Sequence, residues 1–117
     1  MYSVHKHEAQ KLNLPGRDVY AFIGGSRMPS ERMTVGFTEV APETEMTPHV
    51  HDDKEEIIFV IEGNGEAVVG DSTEKLEPYT AVLFPIGVSH VVKNFGKTPM
   101  RFVFMFNPPN DFGGALS

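Results

Sequence analysis

The apolar positions of this chain fall in short runs rich in Val, Ile, Thr, Tyr and Phe, bounded by Gly, Pro, Asn, Asp and Ser, as in a succession of β-strands. Residues 18–23 read as a first strand closed by Gly24-Gly25, and 25–32, with Ser26, Pro29 and Ser30, as a loop. A second strand covers 33–41, with Thr34, Val35, Phe37, Thr38 and Val40, and Pro42 ends it. Further strands are expected at 47–52, 56–62 and 66–69. Gly63-Asn64-Gly65 forms the hairpin connection, since Gly and Asn accept positive φ at little cost, and Gly70-Asp71-Ser72 turns the chain again. Segments 80–84 and 88–94 are joined by Pro85-Ile86-Gly87, and 100–107 is the last long strand, stopped by Pro108-Pro109. No segment shows a helical period beyond a turn near the N-terminus. Residues 1–17 read as an N-terminal arm and 108–117 as a loosely held tail. Short strands with a turn every ~8–12 residues predict an all-β sandwich or barrel with antiparallel strands.

Two segments are apolar on both faces. In 56–62, Ile58 and Val60 share a face with Glu56, while Ile57, Phe59 and Ile61 occupy the other. In 101–106, Phe102, Phe104 and Phe106 oppose Val103 and Met105. The core explains one face of each. The other calls for a second sheet of the same chain or a second copy of it, and a homodimer is the expectation.

Length and charge narrow the function. A chain of 117 residues suits one domain, 1–117. With no cysteine, thiolate metal sites, disulfides and cysteine nucleophiles are excluded. No apolar run approaches the ~18 residues of a membrane span, and no signal-peptide core is visible, so a soluble cytoplasmic protein is expected. The net charge is −6, with six acidic residues between Glu43 and Glu56, a field that repels phosphate backbones and disfavours nucleic acid. No serine lies in an elbow-like context and no phosphate-binding glycine loop is present.

The candidate chemistry lies in His49-x-His51-x4-Glu56, answered by His90. Residues two apart on an extended strand project from the same face, so His49 and His51 form a pair. A turn at Asp52-Asp53-Lys54 would return Glu56 beside them, and His90 would arrive from a distant strand. Three imidazoles and a carboxylate suit a first-row divalent metal. An octahedral ion so held keeps two positions for water or substrate, whereas a tetrahedral zinc would keep none. Glu55, next to Glu56, falls on the opposite face by strand alternation. His5-Lys6-His7 is another histidine pair, read as a solvated terminus.

The residues around the four candidates resemble the cupin superfamily. The first cupin motif is matched by His49, His51, Glu56 and Gly63 within 43–63, and the second by Pro85, Gly87, His90 and Asn94 within 79–94. Each motif opens on a glycine in the family, and this chain has Glu43 and Tyr79 at those two positions. The resemblance implies an antiparallel double-stranded β-helix, a jelly-roll barrel of the RmlC-like type. It also implies one divalent transition metal (Fe, Mn, Ni or Zn) held by His49, His51, Glu56 and His90.

The function expected is that of a small metalloenzyme acting on a small organic molecule. With iron the reaction would be of dioxygenase type, and with other ions of isomerase, decarboxylase or lyase type. The alternative is a non-catalytic cupin that binds or senses a sugar or small organic acid. Asn94 shares parity with His90, so its amide either orients a metal ligand or satisfies turn backbone. Strand parity nominates Thr47, Ile58, Val60, Val92 and Phe104 as pocket lining, with ordinary core as the competing assignment. Arg27, Arg32 and Arg101 are candidate anion anchors, and Tyr20 and Tyr79 candidate proton donors.

Overall fold

The computed structural model describes residues 2–109. Of the expected tail at 108–117, residues 110–117 lie outside the described residues. Among the described residues, ten strands follow one 3-10 turn at Lys6–Glu8: β1 (Gln10–Leu14), β2 (Arg17–Ile23), β3 (Thr34–Val40), β4 (Thr44–Glu45), β5 (Glu55–Glu62), β6 (Gly65–Val69), β7 (Ser72–Leu76), β8 (Ala81–Phe84), β9 (His90–Asn94) and β10 (Met100–Asn107). They form two antiparallel sheets, in the orders β1-β2-β3-β10-β5-β8 and β4-β9-β6-β7. Among the described residues neither sheet closes on itself, so the expected barrel takes the form of two facing sheets. No helix of the described residues is long and apolar enough to cross a membrane.

Alternation fixes which side chains face inward. β5 buries Glu56, Ile58 and Val60, and β10 buries Met100, Phe102, Phe104 and Phe106. Ala67 of β6, Leu76 of β7 and Val92 of β9 meet them from the other sheet in one continuous core. Burying such side chains stabilises by about 1.5–3 kcal/mol each before chain entropy is counted. Gly36 of β3 lies opposite Phe104, and a Cβ there would stand 2.2 Å from the Phe104 ring, so the glycine makes room for it.

Two elements depart from the sequence reading. The arm at 1–17 contains a strand: β1 pairs with β2 through a Pro15-Gly16 turn, with Leu14 opposite Arg17. Gly16, at φ +76°, supplies the left-handed position that such a turn needs. The other departure is β7, an edge strand whose first four residues are exposed and which buries only Leu76. The segment expected as a strand at 47–52 is irregular instead. Its one ladder contact is an isolated bridge between His49 and His90.

The two motif-opening positions also stand out. Glu43 (φ +54°) and Tyr79 (φ +69°) are the described non-glycine residues with left-handed backbone. The chain has kept the glycine's conformation without the glycine.

The outer face of the six-stranded sheet carries the second apolar set. Leu83, Ile57, Met105 and Val35 align across four strands, and Ala81, Phe59, Val103, Phe37 and Tyr20 form the next row. The second sheet packs on the other side. The 3-10 turn overlies one end, with Lys6 Nζ 4.7 Å from the Tyr20 ring centre and 3.2 Å from Glu39 Oε1. Ile57 and Leu83 remain 39% and 47% exposed.

Candidate metal centre

His51, Glu56 and His90 come together in the lining of a cavity. Glu56 is held by β5, whose alternation turns it inward with Ile58. His90 opens β9 after the Pro85-Ile86-Gly87 turn, where Gly87 at φ +73° donates its N–H to the His51 carbonyl at 2.8 Å. That hydrogen bond ties the two ligand-bearing segments together. His49 and His90 exchange backbone hydrogen bonds in both directions, each 2.8 Å, which tethers the histidine loop to β9.

Both imidazole Nε2 atoms converge on one carboxylate oxygen: His51 at 3.4 Å and His90 at 3.5 Å from Glu56 Oε1. Two donors each about 2.1 Å from one ion stand about 3.0 Å apart at right angles and about 3.4 Å apart at the tetrahedral angle. The separations therefore fit a shared metal with little movement. His49 borders this group of three and lies outside it, its ring centre 6.5 Å from that of His51 and 6.1 Å from that of His90. Thus three of the four expected ligands cluster, and the fourth lines the same cavity.

Aromatic rings fix the orientation of the imidazoles. Phe84 stacks on His90, with centres 4.1 Å apart and planes 3° from parallel, and Phe106 meets His51 edge-on at 5.1 Å. Such contacts are worth about 0.5–1.5 kcal/mol and restrict ring rotation.

Burial also sets protonation. It pushes the His90 pKa down to about 4, helped by the neighbouring His51 and His49, with the Val88 backbone opposing. His90 is therefore neutral at physiological pH, as a ligand must be. Its Nδ1 is buried and makes no hydrogen bond of ordinary geometry among the described residues. Burial raises the pKa of Glu56, while His51 and Arg17 pull it back. A buried carboxylate so poorly compensated gains from a nearby divalent cation. The fit is good on three grounds: donor type, donor spacing, and a buried charge that lacks an adequate counter-ion.

The cavity, about 60 Å3, is walled mainly by Val19, Met46, Phe84, Val92, Phe102 and Phe104, with Phe106 beside them. Of the residues nominated by parity, Thr47, Val92 and Phe104 line it. Ile58 and Val60 are fully buried in the core and are not among its lining residues. The amide of Asn94 works on backbone: its nitrogen donates to the carbonyls of Val40, Ala41 and Thr98, and its oxygen accepts from Gly96 N–H. Of the two roles open to it in sequence, this is the turn-backbone one.

None of the three nominated arginines lines the cavity. Arg101 pairs with Glu39 (2.8 Å) and Glu62 on the surface, Arg27 donates to the Glu8 carbonyl, and Arg32 is exposed. Tyr20 faces outward and Tyr79 is exposed. The cation that does line the cavity is Arg17, which the sequence reading had assigned to the arm. Its signal was present in the alternation, because Arg17 shares parity with the buried Val19 and Ala21.

The comparisons bear on family and fold. The family model for the cupin domain matches residues 36–106, from β3 to β10. The chain belongs to the cupin family. A curated relative, polyketide synthase CurC of Streptomyces cyaneus, is 28% identical over 74 residues, covering 63% of this chain and 48% of the relative. This cupin thus spans about half the length of that relative. Among solved structures, ectoine synthase from P. lautus superposes with a TM-score of 0.83 at 20% identity, over 97% of this chain and 82% of that one. KdgF from Halomonas sp. superposes at 0.80 and 18% identity, over 94% and 96%. At those identities the likeness is one of fold. The imidazole–carboxylate cluster equips this cupin to hold a metal ion.

Proposed function

We propose that this cupin is a metal-dependent enzyme that transforms a small organic molecule in the cavity beside His51, Glu56 and His90. The observation that carries the reading is the convergence of two imidazoles and a buried carboxylate in the lining of a largely apolar cavity. His49 is assigned as the fourth ligand, brought in by side-chain rotation. The metal, when bound, supplies Lewis-acid polarisation or, as iron, oxygen chemistry. The protein's own part is different. The Phe84 stack holds the His90 ring with Nε2 toward Glu56. The aromatic wall lowers the local dielectric and so strengthens the charge interactions beside it. The jelly-roll form of the family, a double-stranded β-helix, accounts for why the ligands come from separate strands and a loop.

One observation favours a second reading, a cupin that binds or senses a small ligand without turnover. Beyond the histidines and Glu56, the polar side chains lining the cavity are Arg17, Thr38 and Thr47, a lining with no evident proton-transfer group.

We also infer a homodimer formed through the outer face of the six-stranded sheet. The support is the aligned row Leu83, Ile57, Met105 and Val35, which the described residues leave partly exposed.

The deciding experiment loads metal-free protein with Mn2+, Fe2+, Ni2+ or Zn2+ and measures stoichiometry and affinity. One ion per chain is expected. His51→Ala should drop occupancy sharply and lower thermal stability modestly. Unchanged occupancy in that variant would remove the ligand assignment.

A further inference from the structure

Arg17 is the first residue of β2, set by the Pro15-Gly16 turn and by its place opposite Val40 of β3. Its parity with Val19 and Ala21 turns it toward the cavity, and it is half-buried there. Among the described residues its guanidinium makes no hydrogen bond or ion pair within bonding distance. Glu56 acts on it only as a nearby charge, opposing the fall in pKa that burial causes. Arginine presents five donors in a rigid fork, and this half-buried fork faces the cavity with no protein acceptor among the described residues. A donor set so placed is satisfied by an acceptor that enters the cavity.

We infer that Arg17 is the anion anchor of this cavity, and that the molecule taken there is a small organic acid whose carboxylate sits on the guanidinium. The inference rests on the metal-site reading above for the role of the acid's other end, which reaches toward His51, Glu56 and His90.

Charge and size select the class. Arg17 is the one arginine or lysine among the lining residues, so the site matches a single negative charge. A phosphate dianion needs more donors than one fork supplies, and the remaining wall is mostly aromatic and aliphatic. A water-sized group needs about 10–15 Å3 of such space. A cavity of about 60 Å3 therefore holds about four to six of them, the size of a two- to four-carbon acid.

The test titrates glycolate, lactate and pyruvate into metal-free and metal-loaded protein by calorimetry. Lactamide serves as the neutral isostere and inorganic phosphate as the competing anion. Wild type should bind at least one acid at least tenfold more tightly than lactamide. Arg17→Met should weaken that binding at least tenfold, and Arg17→Lys should weaken it less, because it keeps the charge and loses the fork. Metal affinity in Arg17→Met should be unchanged or tighter, since a cation near Glu56 has been removed. A merely misfolded variant would lose both.

Equal acid binding by wild type and Arg17→Met would overturn the inference. So would lactamide binding as tightly as lactate, phosphate outcompeting all three acids, or no acid binding at all. Failure of the metal reading is separately visible. In that case no ion binds, while acid binding to the metal-free protein still depends on Arg17.

Discussion

Replacing Glu43 and Tyr79 by glycine should stabilise the protein at one site and do less at the other. Both residues hold left-handed backbone, at φ +54° and +69°. That conformation costs an L-residue about 1–2 kcal/mol. Glycine removes the strain but loses about 0.5–1 kcal/mol more chain entropy on folding. Glu43 is exposed, and its backbone N–H still reaches the Gly96 carbonyl after substitution, so Glu43→Gly should gain about 0.5–1 kcal/mol. Tyr79 is 82% exposed, yet its ring centre lies 6.3 Å from that of Phe59. Losing part of that contact should leave Tyr79→Gly between neutral and about 0.5 kcal/mol more stable. The unfolding entropy of a chain this long is about 0.25 kcal/mol/K, which converts the Glu43→Gly gain to a Tm rise of about 2–4 °C. Calorimetry of metal-free protein reads this directly, with Glu43→Ala as the control that keeps a Cβ and hence the strain. A Tm that falls in Glu43→Gly, or rises as much in Glu43→Ala, would refute the reasoning.

Two further outcomes are expected. Phe84→Leu should lower stability by about 1.5–2.5 kcal/mol, from lost core volume and the lost stack on His90, and should weaken metal binding about tenfold as measured by chelator competition. Val82→Ala, on the same face of β8 but away from the cavity lining, should destabilise without that loss of affinity; equal affinities in both variants would make Phe84 core alone. In metal-free protein, the His90 imidazole should titrate near pH 4 by NMR, against an ordinary 6.5. The unfolded chain then binds the extra proton between those values, so His90 alone removes about 3 kcal/mol of stability as pH falls from 6.5 to 4. Glu56, with its raised pKa, acts in the opposite direction: its contribution is lost as pH rises through its folded value. An NMR midpoint at or above 6.5 would contradict the burial of His90.

The strands that carry apolar side chains were legible because residues two apart share a face, which separated the two faces of β5 and β10 and left open which face of β10 turns inward. The His51, Glu56 and His90 cluster was legible because loop and strand spacing brings fixed residue types to one point. What escaped was written in weaker terms. β7 exposes Ser72, Thr73, Glu74 and Lys75, so its pairing as an edge strand leaves almost no apolar trace. β1 alternates Leu12 and Leu14 with polar residues, a signal obscured by the Pro15-Gly16 turn behind it. Missing β1 concealed the hairpin that aims Arg17. The work of Asn94 on three carbonyls depends on which loops meet, and the distance of His49 from the cluster depends on side-chain torsions. Neither is encoded in spacing.

The bridge between His49 and His90 is made of main chain only, two hydrogen bonds that need no imidazole and no ion. The tether between the ligand-bearing segments therefore does not itself depend on an ion, unlike domains whose folding waits for their metal. Metallation becomes the act of a finished protein choosing from whatever supply surrounds it. The ion found in a purified sample then records the supply the folded chain met as much as what its chemistry requires.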